Sequence, residues 1–487
     1  MRLNRRPTRS GTRTIHHIWG FSAVLLVLLA VCVACVPADA IVFPTSGSTA
    51  RPSGPIPTTA GPEPTLPQRP ITIATGYSRE VAEYLGMLYY SRISGVFPTN
   101  GNEWIGDTVN LDELAQFRDS FPVEALQIEP GGAGESRIRA WAAAGRLPDL
   151  YLSDCIAACA ANGWAADITS QAGTHRLLNG LSLYPVMVEG SKSGARLFGI
   201  PISFTIPVLM YDRDAVRTAG LTPPAAGGWD FGTFVSDLEV VAGNNQVDIS
   251  PATTEPATRD RPEVVPLLST AEGLLELLPA GMDTSLGWAA WTGSGFGFDR
   301  EAFREAAAQV EGLILAGLTS DRAEADGSDS TAIWLGDSSQ LAEERLSLSG
   351  RLGLTRVPFL GIERTGVRVQ TLCVSPEAAR TQSIVDFALF IALDPDALLL
   401  ASRFGQQEGY LPVSRIDRVW EKTMQSWPSA SFFQDCRPLL DQAFVDGRTC
   451  VPGWNVIYAG RFKTAEKNML SGLRTAEEMV DWLTDTP

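Results

Sequence analysis

The sequence predicts an α/β protein with two or more lobes, and three observations support this prediction. Short apolar segments of strand character alternate with segments of helical spacing along the chain. Its 487 residues exceed the size at which one hydrophobic core usually keeps growing. The segment 197–221 is extended and apolar, carries Pro201 and Pro207, and then passes into a helix. Because proline cannot donate to a strand ladder, this segment does not suit a central strand.

The N-terminus predicts a secretory signal. Residues 1–13 are rich in arginine and lack acids, and residues 18–34 form an apolar run. Three interpretations stay open: a lipobox that makes Cys35 the site of lipidation, an ordinary cut after Ala40, and an uncleaved anchor. The lipobox interpretation gives a signal peptide over 1–35. All three place the bulk of the protein outside the cytoplasm.

A linker follows the signal over residues 36–69. It is rich in Pro, Ser, Thr and Gly, so it cannot bury enough apolar surface to offset the entropy of ordering it. We predict a disordered spacer that holds a folded domain away from a membrane surface. The alternative is a disordered N-terminus with no role.

The remaining chain reads as alternating strands and helices. Strands are predicted at 71–74, 123–129, 149–152, 263–268, 352–359 and 367–375. Helices are predicted at 79–93, 136–145, 212–220, 229–242, 270–281, 301–318 and 383–393. From residue 394 onwards the pattern is mainly helical. Early strands that each lead into a helix predict parallel pairing in the first lobe.

Catalytic motifs are weak in this sequence, so we expect no catalytic residue, no cofactor and no metal site. Of three histidines, only His175 lies outside the predicted signal, and a lone histidine in a loop is usually solvated. The glycine-rich stretches at 130–136 and 292–298 lack the lysine of a P-loop and the spacing of a nucleophile elbow. Paired carboxylates of a glycosidase remain compatible with the sequence, although no feature favours them.

Five cysteines lie beyond the predicted signal, where an oxidising compartment would favour pairing. A disulfide between Cys436 and Cys450 would close a loop of about 13 residues and stabilise the fold by roughly 3 kcal/mol. Cys155 and Cys159 can pair only if they do not lie in a regular helix. Cys373 is then left as a buried small apolar residue. A zinc site is disfavoured because no second close cysteine pair and no nearby histidine accompany them.

Tryptophans suggest a sugar-binding surface. The chain has 12 of them, and Trp288 and Trp291 stand just before a glycine-rich turn, outside any clear apolar periodicity. An indole offers a flat apolar face and one N–H donor, which matches the apolar faces and polar rim of a sugar ring. For the other tryptophans, anchoring a core is the favoured interpretation.

Several motifs together resemble the extracellular solute-binding proteins, family 1, of bacterial ABC importers. The resemblance covers roughly residues 71–485. It rests on the order and spacing of these segments: 147–154 (LPDLYLSD), 198–201 (FGIP), 211–214 (YDRD), 219–224 (AGLTPP), 229–231 (WDF) and 408–415 (EGYLPVSR). The lipobox-like start also fits.

The resemblance implies a two-lobed periplasmic-binding-protein type II fold with an interlobe cleft and crossing hinge strands. It gives lobe 1 as 70–204 plus 366–394 and lobe 2 as 205–365 plus 395–487. Crossings are expected near 203–207, 356–366 and 393–397. Prolines cost little in a crossing strand because sheet pairing is ending there. Ligand would lie in the cleft, which closes by a hinge motion.

Candidate ligand-binding residues follow from the strand ends and the expected hinge. Asp154 would accept hydrogen bonds from ring hydroxyls, and the aromatic side chains would stack on the ring. The full set is Tyr77 and Asp154 from the first lobe, Ser203 and Phe204 from the hinge, and Trp288, Trp291 and Tyr410 from the second lobe and its edges.

The implied function is the extracytoplasmic substrate-binding component of an ABC importer, with no enzymatic activity. Its partners would be a small solute, first of all a sugar, the permease subunits, and a membrane reached through the lipid at Cys35. The formal net charge of −16 argues against nucleic acid. That acidity leaves a peptide, a polyamine or another cationic solute as an alternative ligand. An extracellular hydrolase is the alternative from another class.

Overall fold

The described part of the chain contains a seven-stranded sheet, a three-stranded sheet and a separate two-stranded sheet. The computed structural model describes residues 67, 69–96, 104–173, 175–178, 182–218, 220–223, 227–246, 271–282, 299–318, 333–347, 350–454 and 458–485. Its strands are β1 Ile71–Thr75, β2 Val123–Gln127, β3 Leu150–Ser153, β4 Lys192–Ser193, β5 Arg196–Leu197, β6 Gly199–Thr205, β7 Pro207–Asp212, β8 Ile333–Asp337, β9 Leu352–Thr355, β10 Gly366–Val374, β11 Leu411–Pro412 and β12 Phe444–Val445.

Helices cover the sheets on either side. The α-helices are Arg79–Ile93, Leu111–Ala115, Glu135–Ala143, Ile156–Ala161, Thr169–Ala172, Pro185–Glu189, Arg213–Thr218, Phe231–Gln246, Ala271–Leu277, Pro279–Met282, Arg300–Leu315, Leu341–Ser347, Gln382–Leu393, Pro395–Ser402, Asp417–Thr423, Ala430–Cys436, Gly447–Cys450, Lys463–Leu470 and Ala476–Asp485. Short 3₁₀ turns lie at Ser338–Gln340, Ala378–Arg380 and Arg437–Asp441, and a π turn lies at Tyr458–Phe462.

The larger sheet has seven strands and lies in the first core. Its order is β11-β6-β10-β3-β1-β2, with β12 paired to β10. The strand β1 runs parallel to β2 and β3, whereas β10 runs antiparallel to both β3 and β6. Every residue of β3 and of β6 is buried, as expected for strands covered on both faces. The parallel pairing predicted for the first strands is confirmed.

The smaller sheet carries a second core. Its three strands, in the order β8-β7-β9, are all antiparallel. Aromatic side chains fill this core, including Trp229, Phe231 and Phe234 near the start of one helix and Phe303 in another. Two cores on two sheets are consistent with the two-lobed fold that the motifs predict.

Within the described residues, we distinguish three segments that connect the two cores. Ile206 alone separates β6 of the larger sheet from β7 of the smaller one, and residues 356–365 return the chain from β9 to β10. Residues 446–450 form the third connection, because Val445 packs in the first core and Val451 in the second. The first two connections overlap residues 203–207 and 356–366, where crossings are expected.

The third crossing differs from the prediction. Asp394, expected in a crossing, links two helices that both pack on the first core. The following segment, up to Val445, also packs there, although the predicted boundary assigns residues 395–487 to lobe 2. The physical reason is that β11 pairs with β6 and becomes the outer strand, which holds this segment on the larger sheet. Its apolar side chains then bury against that sheet.

Several sequence predictions lie outside the described residues. They are the signal segment with Cys35, most of the linker, and the strand predicted at 263–268. Among the residues that the structure describes, no helix combines the length and the apolar character needed to cross a membrane.

The structure gives Cys155, Cys159, Cys373 and Cys436 as thiols, and the disulfide predicted between Cys436 and Cys450 stays a prediction. The two thiols have different surroundings. Arg356 and Glu363 lie beside Cys436, whereas Asp446 lies beside Cys450. Burial raises the pKa of each thiol to about 12, as expected for inert buried cysteines.

Candidate functional site

A cavity of about 220 Å³ opens at the carboxyl ends of the parallel strands. Thr75 ends β1, Gln127 ends β2, and Leu152 stands near the end of β3. In open α/β sheets, ligands bind in the crevice outside the carboxyl ends of the strands. We call this space the cleft cavity. A second cavity, of about 20 Å³ beside the residue 356–365 connection, has room for little more than a water molecule.

The lining of the cleft cavity is aromatic and polar but uncharged. Its aromatic residues are Tyr77, Phe404 and Tyr410, and its polar residues are Thr75, Ser78, Gln127, Ser203, Gln406 and Gln407. Among the described residues that line it, none is Asp, Glu, Lys, Arg or His. Hydroxyl and amide groups can both donate and accept hydrogen bonds, so this wall suits a neutral ligand rich in hydroxyls.

Three of the predicted site residues meet in the cleft cavity: Tyr77, Ser203 and Tyr410. Tyr77 follows β1 directly and its side chain is partly exposed. Burial raises the pKa of Tyr77 to about 12. The phenol therefore stays neutral at physiological pH and keeps its O–H for donation.

Ser203 lies on β6 and contacts the neighbouring strand. Its hydroxyl donates to Oε1 of Gln370 on β10, and both side chains are buried. The bond fixes the rotamer of Ser203, so the residue presents an oriented oxygen to the cavity rather than a freely rotating hydroxyl.

Phe204, which the sequence predicts to bind ligand, does not line the cleft cavity. It is fully buried, and its ring lies 6.3 Å from that of Trp420. Successive side chains of a strand point to opposite faces. Phe204 packs in the first core.

The remaining predicted site residues are Asp154, Trp288 and Trp291. Asp154 follows β3 as predicted but is not among the residues that line the cleft cavity. Its carboxylate instead lies close enough to Arg368 and Tyr410 to raise the pKa of both side chains. Trp288 and Trp291 lie outside the described residues, so their role stays a prediction.

The amides and one aromatic residue of the cavity wall are absent from the residues predicted from sequence. Phe404 stacks on Tyr84 with the ring centroids 5.7 Å apart. Gln406 is held in place, since its Nε2 donates to the Tyr410 carbonyl at 3.1 Å and its own carbonyl accepts from Trp427 Nε1 at 3.0 Å. The sequence feature that could have identified the amides is the pair of glutamines at 406–407, directly before the segment that carries Tyr410.

An ion cluster joins the three connections between the cores. Arg368 lies on β10, just after the second connection, with Nη2 3.1 Å from Asp446 Oδ2 and Nη1 3.6 Å from Asp337 Oδ2. Asp446 begins the third connection. Thr205, at the end of the strand before the first connection, donates to Asp337 at 2.9 Å. We call these four residues the hinge cluster.

Electrostatics favour the charged form of Arg368. Burial alone would lower its pKa, but the carboxylates of Asp446, Asp337 and Asp154 outweigh burial and raise it. Tyr410 links this cluster to the cleft cavity. Burial and the nearby carboxylates of Asp337 and Asp154 raise the pKa of Tyr410, so its hydroxyl is a neutral group between the cavity and the hinge.

The loop that carries Tyr410 touches the chain that leaves the smaller sheet. Ser338 follows β8, and its Oγ donates to the Gly409 carbonyl at 2.6 Å. Arg345 pairs with Glu408 through two bonds of 2.8 and 2.9 Å. Burial of Glu408 would raise its pKa, but the bonds from Arg345 and Ser429 lower it overall. The cavity wall is therefore fastened to both sheets.

Comparisons with known proteins find the architecture but no close relative. No protein-family model matches the chain, and no curated protein matches it. A cyclic α-maltosyl-1,6-maltose binding protein from Arthrobacter globiformis superposes with a TM-score of 0.59 at 14% identity, over 86% of this chain and 97% of that one. An ABC substrate-binding protein from Listeria monocytogenes, solved with cycloalternan, gives 0.57 at 13% identity over 84% and 95%.

A third structure has the same arrangement. The sugar-binding protein MalE from Xanthomonas citri superposes with a TM-score of 0.54 at 13% identity, over 85% of this chain and 95% of that one. This chain has the two-lobed periplasmic-binding-protein fold. At these identities the comparison establishes the fold alone. The predicted fold class is confirmed, and these neighbours are binding proteins rather than enzymes.

Within this fold, Gly409 is a position where a side chain cannot be accommodated. Its φ is +94°, and an added Cβ would lie 1.8 Å from the Ser338 carbonyl oxygen. Gly409→Ala is expected to lower the free energy of unfolding by about 3 kcal/mol, from left-handed strain plus displacement of the loop. Chemical denaturation measures the loss.

Gly405 provides the matched control. Its φ is +78°, but an added Cβ would meet no atom within 4 Å. Gly405→Ala should therefore cost only the strain of about 1 kcal/mol. Equal losses for the two variants would show that the contact between Gly409 and Ser338 contributes nothing.

Proposed function

We propose that the chain is the extracytoplasmic substrate-binding component of an ABC importer and captures a neutral carbohydrate in its interlobe cleft. The observation that carries the proposal is the lining of the cleft cavity, which combines aromatic rings with amides and hydroxyls and has no charged group among its described residues. Neighbours of the same fold are named as binding proteins for maltose-type sugars and cycloalternan, which supports this class of ligand.

The uncharged lining favours a sugar over the cationic alternatives. Binding a polyamine or a basic peptide in a partly dry cleft requires carboxylates to compensate the buried charge. The carboxylates of Asp154 and Asp337, which act on Tyr410 of the cavity wall, also lie beside Arg368 and are engaged in the electrostatics of the hinge cluster. The overall acidity of the chain therefore says little about its ligand.

Binding would proceed by capture and closure, without covalent chemistry. A sugar ring would stack on Tyr77, while its hydroxyls exchange hydrogen bonds with Gln127 and Gln406. The cavity is smaller than the roughly 300–1,000 Å³ of pockets that enclose a whole drug-sized ligand, so it would take one ring or the end of a longer chain. Trp288 and Trp291 would stack on the same ligand from the second lobe.

Closure would use the three connections. Contacts that the ligand makes with both lobes stabilise the closed state, because a ligand shifts a conformational equilibrium by its differential affinity for the two states. Excluding water from the cleft then strengthens the hydrogen bonds to the sugar.

The N-terminal region would determine where the protein is located. We propose that the signal directs export, that Cys35 carries the lipid, and that residues 36–69 tether the folded part to the outer face of the membrane. The closed, loaded protein would then dock on permease subunits in the same membrane.

A thermal-shift panel on the full chain tests the proposal. Neutral oligosaccharides should raise the unfolding temperature, because a ligand at 100 times its Kd stabilises the native state by about 2.7 kcal/mol. Spermidine and a lysine-rich peptide at the same concentrations should leave it unchanged. A shift with these cations and none with any sugar would contradict the proposal. Cleavage of the same sugars would support the hydrolase alternative.

A further inference from the structure

Three cysteine thiols meet in the first core, at the end of the strand that leads to Asp154. Cys159 and Cys373 are fully buried and Cys155 is nearly so. The Ser153 Oγ lies 3.2 Å from Cys155 Sγ and 3.5 Å from Cys159 Sγ. Cys155 and Cys373 both shift the pKa of the Cys159 thiol. Among the described residues, no group of three or more His, Cys, Asp or Glu is arranged to hold a metal ion.

The backbone conformation favours a disulfide between Cys155 and Cys159 over one that involves Cys373. Cys155 precedes the helix Ile156–Ala161 and has φ −125° and ψ 57°, so it is not helical. Its carbonyl accepts from the Cys159 N–H at 3.1 Å, which places the two Cα atoms one helical turn apart, within the range that a disulfide can span. Cys373 instead lies in the middle of the sheet on β10, opposite Tyr151, and its thiol points towards the Thr371 carbonyl at 3.8 Å.

We propose that Cys155 and Cys159 form a disulfide that closes the turn after β3, and that Cys373 remains a thiol. The S–S bond forms as each S–H loses a proton and the pair gives up two electrons. A disulfide oxidant of the extracytoplasmic compartment accepts them and is reduced to two thiols. The inference of an oxidising compartment depends on the proposed function, whereas the proximity of the thiols is independent of it.

Burial dictates when the bond forms. The hydrogen bond to Cys159 and burial together raise the pKa of Cys155 well above its ordinary value. The pKa of Cys159 is raised as well, because Cys373 and burial outweigh the lowering by Cys155. The thiolate is the reacting species, so the folded core protects this pair from exchange. Oxidation therefore precedes the closing of the core during folding.

The bond would fix a residue near the hinge. Asp154 stands between Ser153 and Cys155, and its carboxylate acts on Arg368 and Tyr410. Constraining the turn after β3 holds that carboxylate beside the hinge cluster. Removing both cysteines as alanines is expected to lower the unfolding temperature by about 2–4 °C.

Thiol mapping tests the proposal. The full chain is denatured, reduced, refolded with oxidised glutathione, then unfolded in an alkylating agent and digested for mass spectrometry. We expect the peptides of Cys155 and Cys159 to be joined and lighter by two hydrogen atoms, with Cys373, Cys436 and Cys450 alkylated. Alkylation of all five cysteines, or a bond between Cys159 and Cys373, would overturn the proposal.

Two single variants sharpen the result. Cys373→Ala should keep the joined peptide, whereas Cys155→Ala should abolish it and leave Cys159 alkylated. Loss of the joined peptide in the Cys373 variant would count against the assigned pair. A sample that carries the bond but binds no sugar would count against the proposed function and not against the disulfide.

Discussion

Tyr77→Ala is expected to weaken the binding of the sugar identified by the thermal panel by about 30-fold, or about 2 kcal/mol of binding free energy. The ring is partly exposed on the wall of the cleft cavity, so it loses apolar contact with a ligand when it is removed. Aromatic side chains in such positions are the usual anchors of a binding site. Titration calorimetry measures the change directly.

Two controls separate stacking from other effects. Tyr77→Phe keeps the ring and loses the hydroxyl, so it should cost less than the alanine variant. Tyr90 has similar exposure in the helix Arg79–Ile93 but packs against Phe117 and does not line the cavity. Tyr90→Ala should leave the affinity unchanged. An equal loss of affinity in the Tyr90 variant would remove Tyr77 from the proposed site.

Arg368→Met is expected to lower the free energy of unfolding by about 2–3 kcal/mol, because it leaves Asp337 and Asp446 facing each other without a cation. About a quarter of the arginine side chain is exposed, so water screens part of the loss that a fully buried pair would show. Urea denaturation measures the stability, and sugar affinity should fall in the same variant because the three connections lose their common partner.

Arg79→Met is the control for the loss of an arginine that lies outside the hinge cluster. Its bond to Glu83 is 2.7 Å long, but its side chain is 83% exposed, so Arg79→Met should have no measurable effect on stability or affinity. Arg368→Lys should rescue the stability only in part, since a single ammonium cannot reach both carboxylates as the guanidinium does. Wild-type stability in the Arg368→Met variant would show that the hinge cluster is only a surface contact.

The local sequence pattern was sufficient to predict many of the helices and strands. The predicted helix at 79–93 has the observed bounds, with Ser78 accepting from the Val81 N–H as its cap. The proline-marked segment was also informative: Pro207 begins β7 just where the chain leaves the larger sheet. Tyr77 and Ser203 could be placed because each lies at the end of an element whose type the sequence makes plain.

Pairing between distant segments could not be predicted. Whether Ser203 or Phe204 faces the cavity depends on the register of β6 against β10 and β11, and adjacent residues exchange faces on a shift of one. The packing of the segment after Asp394 depends on β11, a strand of two residues with no pattern of its own. Gln127 faces the cavity because three strand ends, far apart in sequence, meet at one edge.

The central claim is that a neutral sugar binds in the cleft between the two lobes. A crystal structure of the full chain with the sugar that gives the largest thermal shift tests it most directly. We expect a sugar ring in van der Waals contact with Tyr77, with the sugar hydroxyls hydrogen-bonded to Gln127 or Gln406. A sugar bound elsewhere while the cleft cavity stays empty, or two halves merged around one core without a cleft, would contradict it.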